Sequence, residues 1–183
     1  MLFRSPDNRK ALYRLTNYLI DLGHKRFGLI AQSTKNNDRA QARLQGVRDA
    51  LSEKSMAIQP AHFAEGYWSL SEGRQLFRRI VEQQPWPTAV ICGNAYLAVG
   101  AMLEAQTMGI RVPEDMSIVG YDDIDIMAEL PVSITTVRVL SDEVGRRAAR
   151  LLVAKVEGDE IELDYECDAE IVVRKSSGPP PGR

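Results

Sequence analysis

The amino-acid sequence predicts an α/β fold whose parallel sheet is built from successive βαβ layers. Three observations carry this. Short apolar runs at Phe27-Gly-Leu-Ile-Ala31, Thr88-Ala-Val-Ile-Cys92 and Met116-Ser-Ile-Val119, with Ala61-His-Phe-Ala-Glu65 between them, begin roughly thirty residues apart, the length of a βαβ unit. A stretch of helical periodicity separates each pair. The runs are apolar throughout rather than alternating, as strands covered on both faces must be.

In order, Leu12, Leu15, Leu19 and Leu22 recur at helical spacing over about Lys10 to Leu22, and Gly23 supplies the stop, with His24 after it. Phe27 to Ala31 is the first strand. After the polar loop Gln32 to Asn37, Asp38 is placed to cap a helix with Leu44, Val47 and Leu51 on one side. Ala61 to Glu65, taking in His62, is the second strand, and Gly66-Tyr-Trp-Ser-Leu its exit loop. A helix over about Ser71 to Gln84 turns Leu76, Phe77, Ile80 and Val81 inward, and Pro85 and Pro87 close it. The third strand ends at Gly93-Asn94. The next helix carries Leu97, Ala98, Ala101, Met102 and Ala105 on one stripe and stops at Gly109. Pro113 precedes the fourth strand, which Gly120 ends, and Tyr121, Asp122 and Asp123 follow at once. A helix from about Ser141 to Val156 comes next, ended by Gly158. Ile161 to Tyr165 and Ala169 to Val173 then read as two strands around a Glu-Cys-Asp turn, a hairpin. The Pro- and Gly-rich residues 176–183 read as a disordered tail.

Composition narrows the function. A net charge of −2 argues against these residues gripping nucleic acid through their overall field. Two cysteines, Cys92 in an apolar run and Cys167 among carboxylates, offer neither a disulfide framework nor a metal-ligand spacing, so a cytoplasmic setting is expected. The first ten residues hold no apolar run of signal-peptide length. Gly-x-Ser-x-Gly, Gly-x-Gly-x-x-Gly and phosphate-loop patterns are absent, so no cofactor, no catalytic group and no enzymatic activity is predicted. Asp122, Asp123 and Asp125 have the carboxylates to hold Mg²⁺ in a phosphoryl-transfer enzyme, but no lysine stands beside them.

In an open parallel sheet ligands gather beyond the carboxyl ends of the strands. Those exits offer Asn37 with Arg39 and Arg43, then Trp68, then Asn94, then Asp122. An aromatic plate, a guanidinium, a carboxamide and a carboxylate are the equipment for a small polyol or ring. Each residue also has a plainer use. Trp68 can cover the sheet edge, Arg43 can be an ordinary helix-surface charge, Asn94 can cap a helix, and the vicinal carboxylates can form a solvated turn.

The ordered set Leu22-Gly-His-Lys-Arg-Phe27, Arg43-Leu-Gln-Gly46, Pro87-Thr-Ala-Val90, Asn94, Gly109 to Pro113, Ser117-Ile-Val-Gly-Tyr-Asp-Asp123, Ile134-Thr-Thr-Val137 and Ile171-Val-Val-Arg174 with Ser176 resembles the LacI/GalR transcriptional regulators. The resemblance implies a type I periplasmic-binding-protein-like two-lobe fold, a homodimer, and a small-molecule effector, a sugar foremost, held in the cleft. By matching position it implies effector contacts at Arg43, Trp68, Asn94 and Asp122, with Asn37 and Arg39 where the family varies. It assigns 7–34 and 137–157 to a partial N-terminal lobe, and 35–136 with 158–175 to the C-terminal lobe. DNA contact through a helix-turn-helix headpiece preceding these residues is also implied, with the N-terminal lobe expected to be incomplete here and no membrane involved. Solute-binding proteins of uptake systems share the fold and form the alternative. Ala95 stands where the family usually has Asp, and Val139-Leu140 where it often has Gln-Pro.

Overall fold

A computed structural model describes residues 7–158 and 168–182. The elements are α1 (Asn8–Asp21), β1 (Phe27–Gln32), α2 (Asp38–Ser52), a 3₁₀ turn (Pro60–His62), β2 (Phe63–Gly66), α3 (Leu70–Ile80), β3 (Ala89–Cys92), α4 (Ala95–Thr107), β4 (Ser117–Tyr121), α5 (Ile126–Glu129), β5 (Thr135–Val139), α6 (Ser141–Glu157) and β6 (Ala169–Val172). His62 thus belongs to the turn before β2 rather than to a strand.

Local chemistry explains the helix ends. Asp7, Asn37, Ser69 and Asn94 each accept a backbone N–H from the first turn of α1, α2, α3 and α4, filling donors the helix cannot satisfy itself. At the far end of α1, Gly23 at φ +101° lets its own N–H reach Ile20 and that of His24 reach Leu19, the paired bonds of a Schellman stop.

One six-stranded sheet runs in the order β2-β1-β3-β4-β5-β6. Neighbours are parallel except β6, which lies antiparallel to β5 with Val137 opposite Ile171. Helices α1 and α2 pack together on one face of the sheet and α3 and α4 on the other. The core follows the same division. Ile30, Val90 and Ile118 belong to the cluster with Phe77, Leu97 and Met102, while Leu29, Ile91 and Val119 belong to that with Leu12, Leu15 and Val47. Close approach of α3 to α4 depends on Gly73 and Gly100, since a Cβ on Gly100 would stand 2.3 Å from the Leu70 carbonyl oxygen.

Two expectations need correction. Residues 7–34 do not form a lobe apart from 35–136: β1 is hydrogen-bonded to β2 on one side and β3 on the other, in the middle of the same sheet. The same holds for 137–139, which are part of β5. Periodicity identifies a strand but does not say which strands flank it. Nor is 176–182 a disordered tail. Ser176 is fully buried, its hydroxyl donating to the Ile118 carbonyl at 2.5 Å and accepting the Thr135 N–H at 2.8 Å. Gly178 is held by His24, whose Nε2–H donates to the Gly178 carbonyl at 2.9 Å while Nδ1 accepts from the Thr88 hydroxyl at 2.9 Å. The segment's composition resembles a linker, but its backbone groups close the gap between β4 and β5. The expected strand Ile161 to Tyr165, and Cys167, lie outside the described residues; among the described residues β6 pairs with β5. Among the described residues no helix is long and apolar enough to cross a membrane.

Candidate functional site

The carboxyl ends of β1, β3 and β4 and the exit of β2 open into one cleft of about 750 Å³, counting its space open to solvent. Its wall includes Asn37, Arg39, Arg43, Trp68, Asn94 and Asp122, so all six residues picked from strand exits stand in the same place. Gln32, Ala95, Tyr96 and Ile124 line it as well. Gln32 is the last residue of β1 and the strand-exit rule was capable of finding it. Tyr96 is the one aromatic residue of α4, a weaker signal.

Asp122 follows β4 directly and is held at φ +67°, a left-handed conformation that aspartate tolerates better than most residues but that still costs about 1 kcal/mol. Burial pushes its carboxyl above the usual carboxylate range, against the opposite pull of Arg43 and Arg39. Asp123 faces elsewhere. Burial opposes its ionisation too, but Arg174 and Arg138 outweigh that and hold its carboxyl below the usual range. The two vicinal carboxylates therefore do not converge, and among the described residues no group of three or more His, Cys, Asp or Glu is placed to hold a metal ion.

Arg43 is not a surface charge. Its guanidinium lies 4.0 Å from the centre of the Tyr121 ring, a cation–π contact, and it donates to Asn8 Oδ1 at 2.8 Å and to the Gly93 carbonyl at 2.6 Å. These bonds fix the fork where it meets the cleft, with burial as the main influence lowering its pKa. Trp68 is 66% exposed and its ring meets that of Tyr96 edge-on at 5.8 Å and 86°. That geometry leaves indole faces open for a flat or C–H-rich partner.

Asn94 joins both of its possible uses. Oδ1 caps α4 by accepting the Leu97 N–H at 3.0 Å, and Nδ2, buried, has no hydrogen-bond partner among the described residues. A carboxamide whose one end is committed and whose other end is an idle donor is a fixed donor for any oxygen that reaches it. With Asn94 as the cap, Ala95 in place of the family's Asp leaves the helix start satisfied. Asn37 likewise spends Oδ1 on the Ala40 N–H, and Arg39 is exposed at the rim.

Fold and site together define a cleft on the carboxyl edge of a doubly covered, mostly parallel sheet. Residues 16–177 match the family model described as periplasmic binding protein-like domain. The chain is 37% identical over 166 residues to the HTH-type transcriptional repressor PurR of Pasteurella multocida (strain Pm70), covering 90% of this chain and 49% of that protein. A regulatory protein of LacI family from Chloroflexus aggregans superposes with a TM-score of 0.86 at 29% identity, over 94% of this chain and 62% of that one. The transcriptional regulator CelR in its cellobiose complex gives 0.85 at 29% identity, over 94% and 53%. The chain belongs to the periplasmic binding protein-like domain family, in the form that LacI/GalR-type transcriptional regulators carry. It spans about half the length of the relatives it matches.

Proposed function

We propose that these residues form the effector-sensing region of a LacI/GalR-type regulator whose effector is a sugar or a closely related polyol. One observation carries the reading: Trp68, Arg43, Asn94 and Asp122 line a single cleft. An indole face to cover C–H groups, a carboxylate to accept from hydroxyls, and two fixed donors are complementary to a pyranose or furanose ring. In the intact protein the effector favours one placement of the two lobes and so sets the spacing of two DNA-binding headpieces. That coupling is bounded by the effector's differential affinity for the two placements. The protein is a cytoplasmic homodimer in this reading, its seam along α4 and the loop 124–131, where Ile126 and Met108 are exposed. It binds and does not turn over its ligand. Uptake-system solute binding has less support, because the relatives named above are transcriptional regulators.

The test is a thermal-shift and calorimetric panel of cellobiose, monosaccharides, nucleosides and sugar phosphates. A sugar at 100 times its Kd stabilises the chain by about 2.7 kcal/mol. Trp68→Ala abolishes that gain while leaving the unliganded midpoint within about 0.5 kcal/mol, since the exposed ring contributes little to folding. Binding of nucleosides alone overturns the sugar assignment, and retained sugar affinity in Trp68→Ala overturns the site.

A further inference from the structure

Asp122 does not aim its own carboxylate. A left-handed aspartate persists where its surroundings over-determine it, and two sets of contacts do so here. On β5, the Thr136 hydroxyl donates to the Asp122 carbonyl oxygen at 3.0 Å. The next residue, Asp123, has a side chain only 7% exposed and is gripped by two guanidiniums. Arg174 donates to Oδ1 at 2.6 Å and to Oδ2 at 2.9 Å, and Arg138 donates to Oδ2 at 2.9 Å. Arg174 is itself anchored, donating to the Ile134 carbonyl at 2.9 Å and from its backbone N–H to Thr135 Oγ1 at 2.8 Å. Arg138 lies on β5 and Arg174 just past β6, the strands by which the chain leaves for α6 and returns from it.

We propose that Thr136, Asp123 and Arg174 are positioning residues that preset the Asp122 carboxylate toward the cleft, and that Arg138 and Arg174 tie this setting to the two strand ends bracketing α6. The proposal rests on the reading of the cleft as the effector site and deepens it. A carboxylate already held in place loses no orientational freedom when a hydroxyl arrives. The forked contact from Arg174 fixes a plane as well as a distance, which a lysine ammonium does not do. Displacing either strand end separates a guanidinium from a desolvated carboxylate, so the loop carrying Asp122 and the ends of β5 and β6 move together. Effector contact at one residue is thereby joined to the path of the segment that follows it.

The charged and titratable groups facing Asp122 are Arg43, Arg39 and Tyr121. With its surroundings intact, burial holds the Asp122 carboxyl above its ordinary value. Carboxyl titration by carbon-13 NMR on the full chain, without ligand, reads whether the preset is kept. Thr136→Ser retains the hydroxyl and keeps the raised midpoint. Thr136→Val, Asp123→Asn and Arg174→Lys let Asp122 turn to solvent, and its midpoint falls to that of an exposed aspartate. An unchanged midpoint in the folded members of these three overturns the proposal, as does an equal fall in Thr136→Ser. Should Thr136→Val not fold, Asp123→Asn and Arg174→Lys decide. Because no ligand is used, failure of every sugar to bind the wild-type chain counts against the effector reading and not against this one.

Discussion

Replacing Asn94 by serine separates the two uses of that side chain. Asn94 is 5% exposed; its Oδ1 caps α4 and its Nδ2 is buried without a partner among the described residues. An N-cap contributes about 1 kcal/mol, and a buried unsatisfied donor costs roughly 1–3 kcal/mol. Serine keeps a capping oxygen and exchanges the idle amide NH2 for a single hydroxyl hydrogen free to rotate, while the smaller side chain gives up about 0.5–1 kcal/mol of packing. These opposed effects leave Asn94→Ser as stable as the wild type or about 1 kcal/mol more stable, a rise of about 2–4 °C in a chain of this size. Asn94→Ala loses the cap too and falls about 1 kcal/mol below Asn94→Ser. Sugar binding moves the other way, since one neutral hydrogen bond of about 0.5–1.5 kcal/mol is lost, weakening affinity roughly 2- to 12-fold. Urea and thermal denaturation read the first effect and calorimetry the second. A destabilisation of Asn94→Ser beyond about 1.5 kcal/mol refutes the reasoning, because Nδ2 would then be serving the fold.

Two further outcomes test the frame around the cleft. In Gly100→Ala the new Cβ meets the Leu70 carbonyl at 2.3 Å and the Gly73 Cα at 2.9 Å. Backbone cannot give way as a side chain can, so overpacking exceeds the helical preference for alanine, and the stability read by urea denaturation drops by about 2 kcal/mol; an unchanged midpoint shows that α3 and α4 separate freely. The second concerns pH. Burial holds the His24 imidazole below its usual pKa, partly opposed by the bond to the Gly178 carbonyl. The unfolded chain then takes up its proton first, so stability is complete above about pH 6.5 and falls on acidification below it, by at most about 1.4 kcal/mol per pH unit. His24→Gln is less stable at neutral pH and loses this dependence between pH 7 and 5 in denaturation; equal slopes for both proteins refute the assignment.

How far the sequence discloses the site depends on what kind of fact each feature is. Parallel strands place all their carboxyl ends on one edge, so residues just past them share an opening whatever the strand order; that is why Arg43, Trp68, Asn94 and Asp122 were legible as a group. Strand order is set by pairing across the sheet, which no local pattern states, so residues 7–34 read as part of another lobe while β1 lies between β2 and β3. The 176–182 segment misleads because Gly and Pro are common in linkers, while its anchors are the buried Ser176 hydroxyl between β4 and β5 and the bonds of Gly178 to His24 and Ser117. The vicinal aspartates read alike in sequence, yet Asp122 lines the cleft and Asp123 is bound by Arg138 and Arg174. Their divergence arises from a backbone turn at φ +67° and from partners 15 and 51 residues away.

The shared duty of Asn94 also bears on how such a pocket can diversify. A change there that suits a new metabolite disturbs the start of a buried helix at the same stroke, so most replacements are screened out before their selectivity matters. Arg39 and Trp68 stand exposed on the rim, where exchange alters recognition with little penalty to folding. Novel preferences should therefore accumulate at the mouth of the pocket while its floor stays chemically uniform.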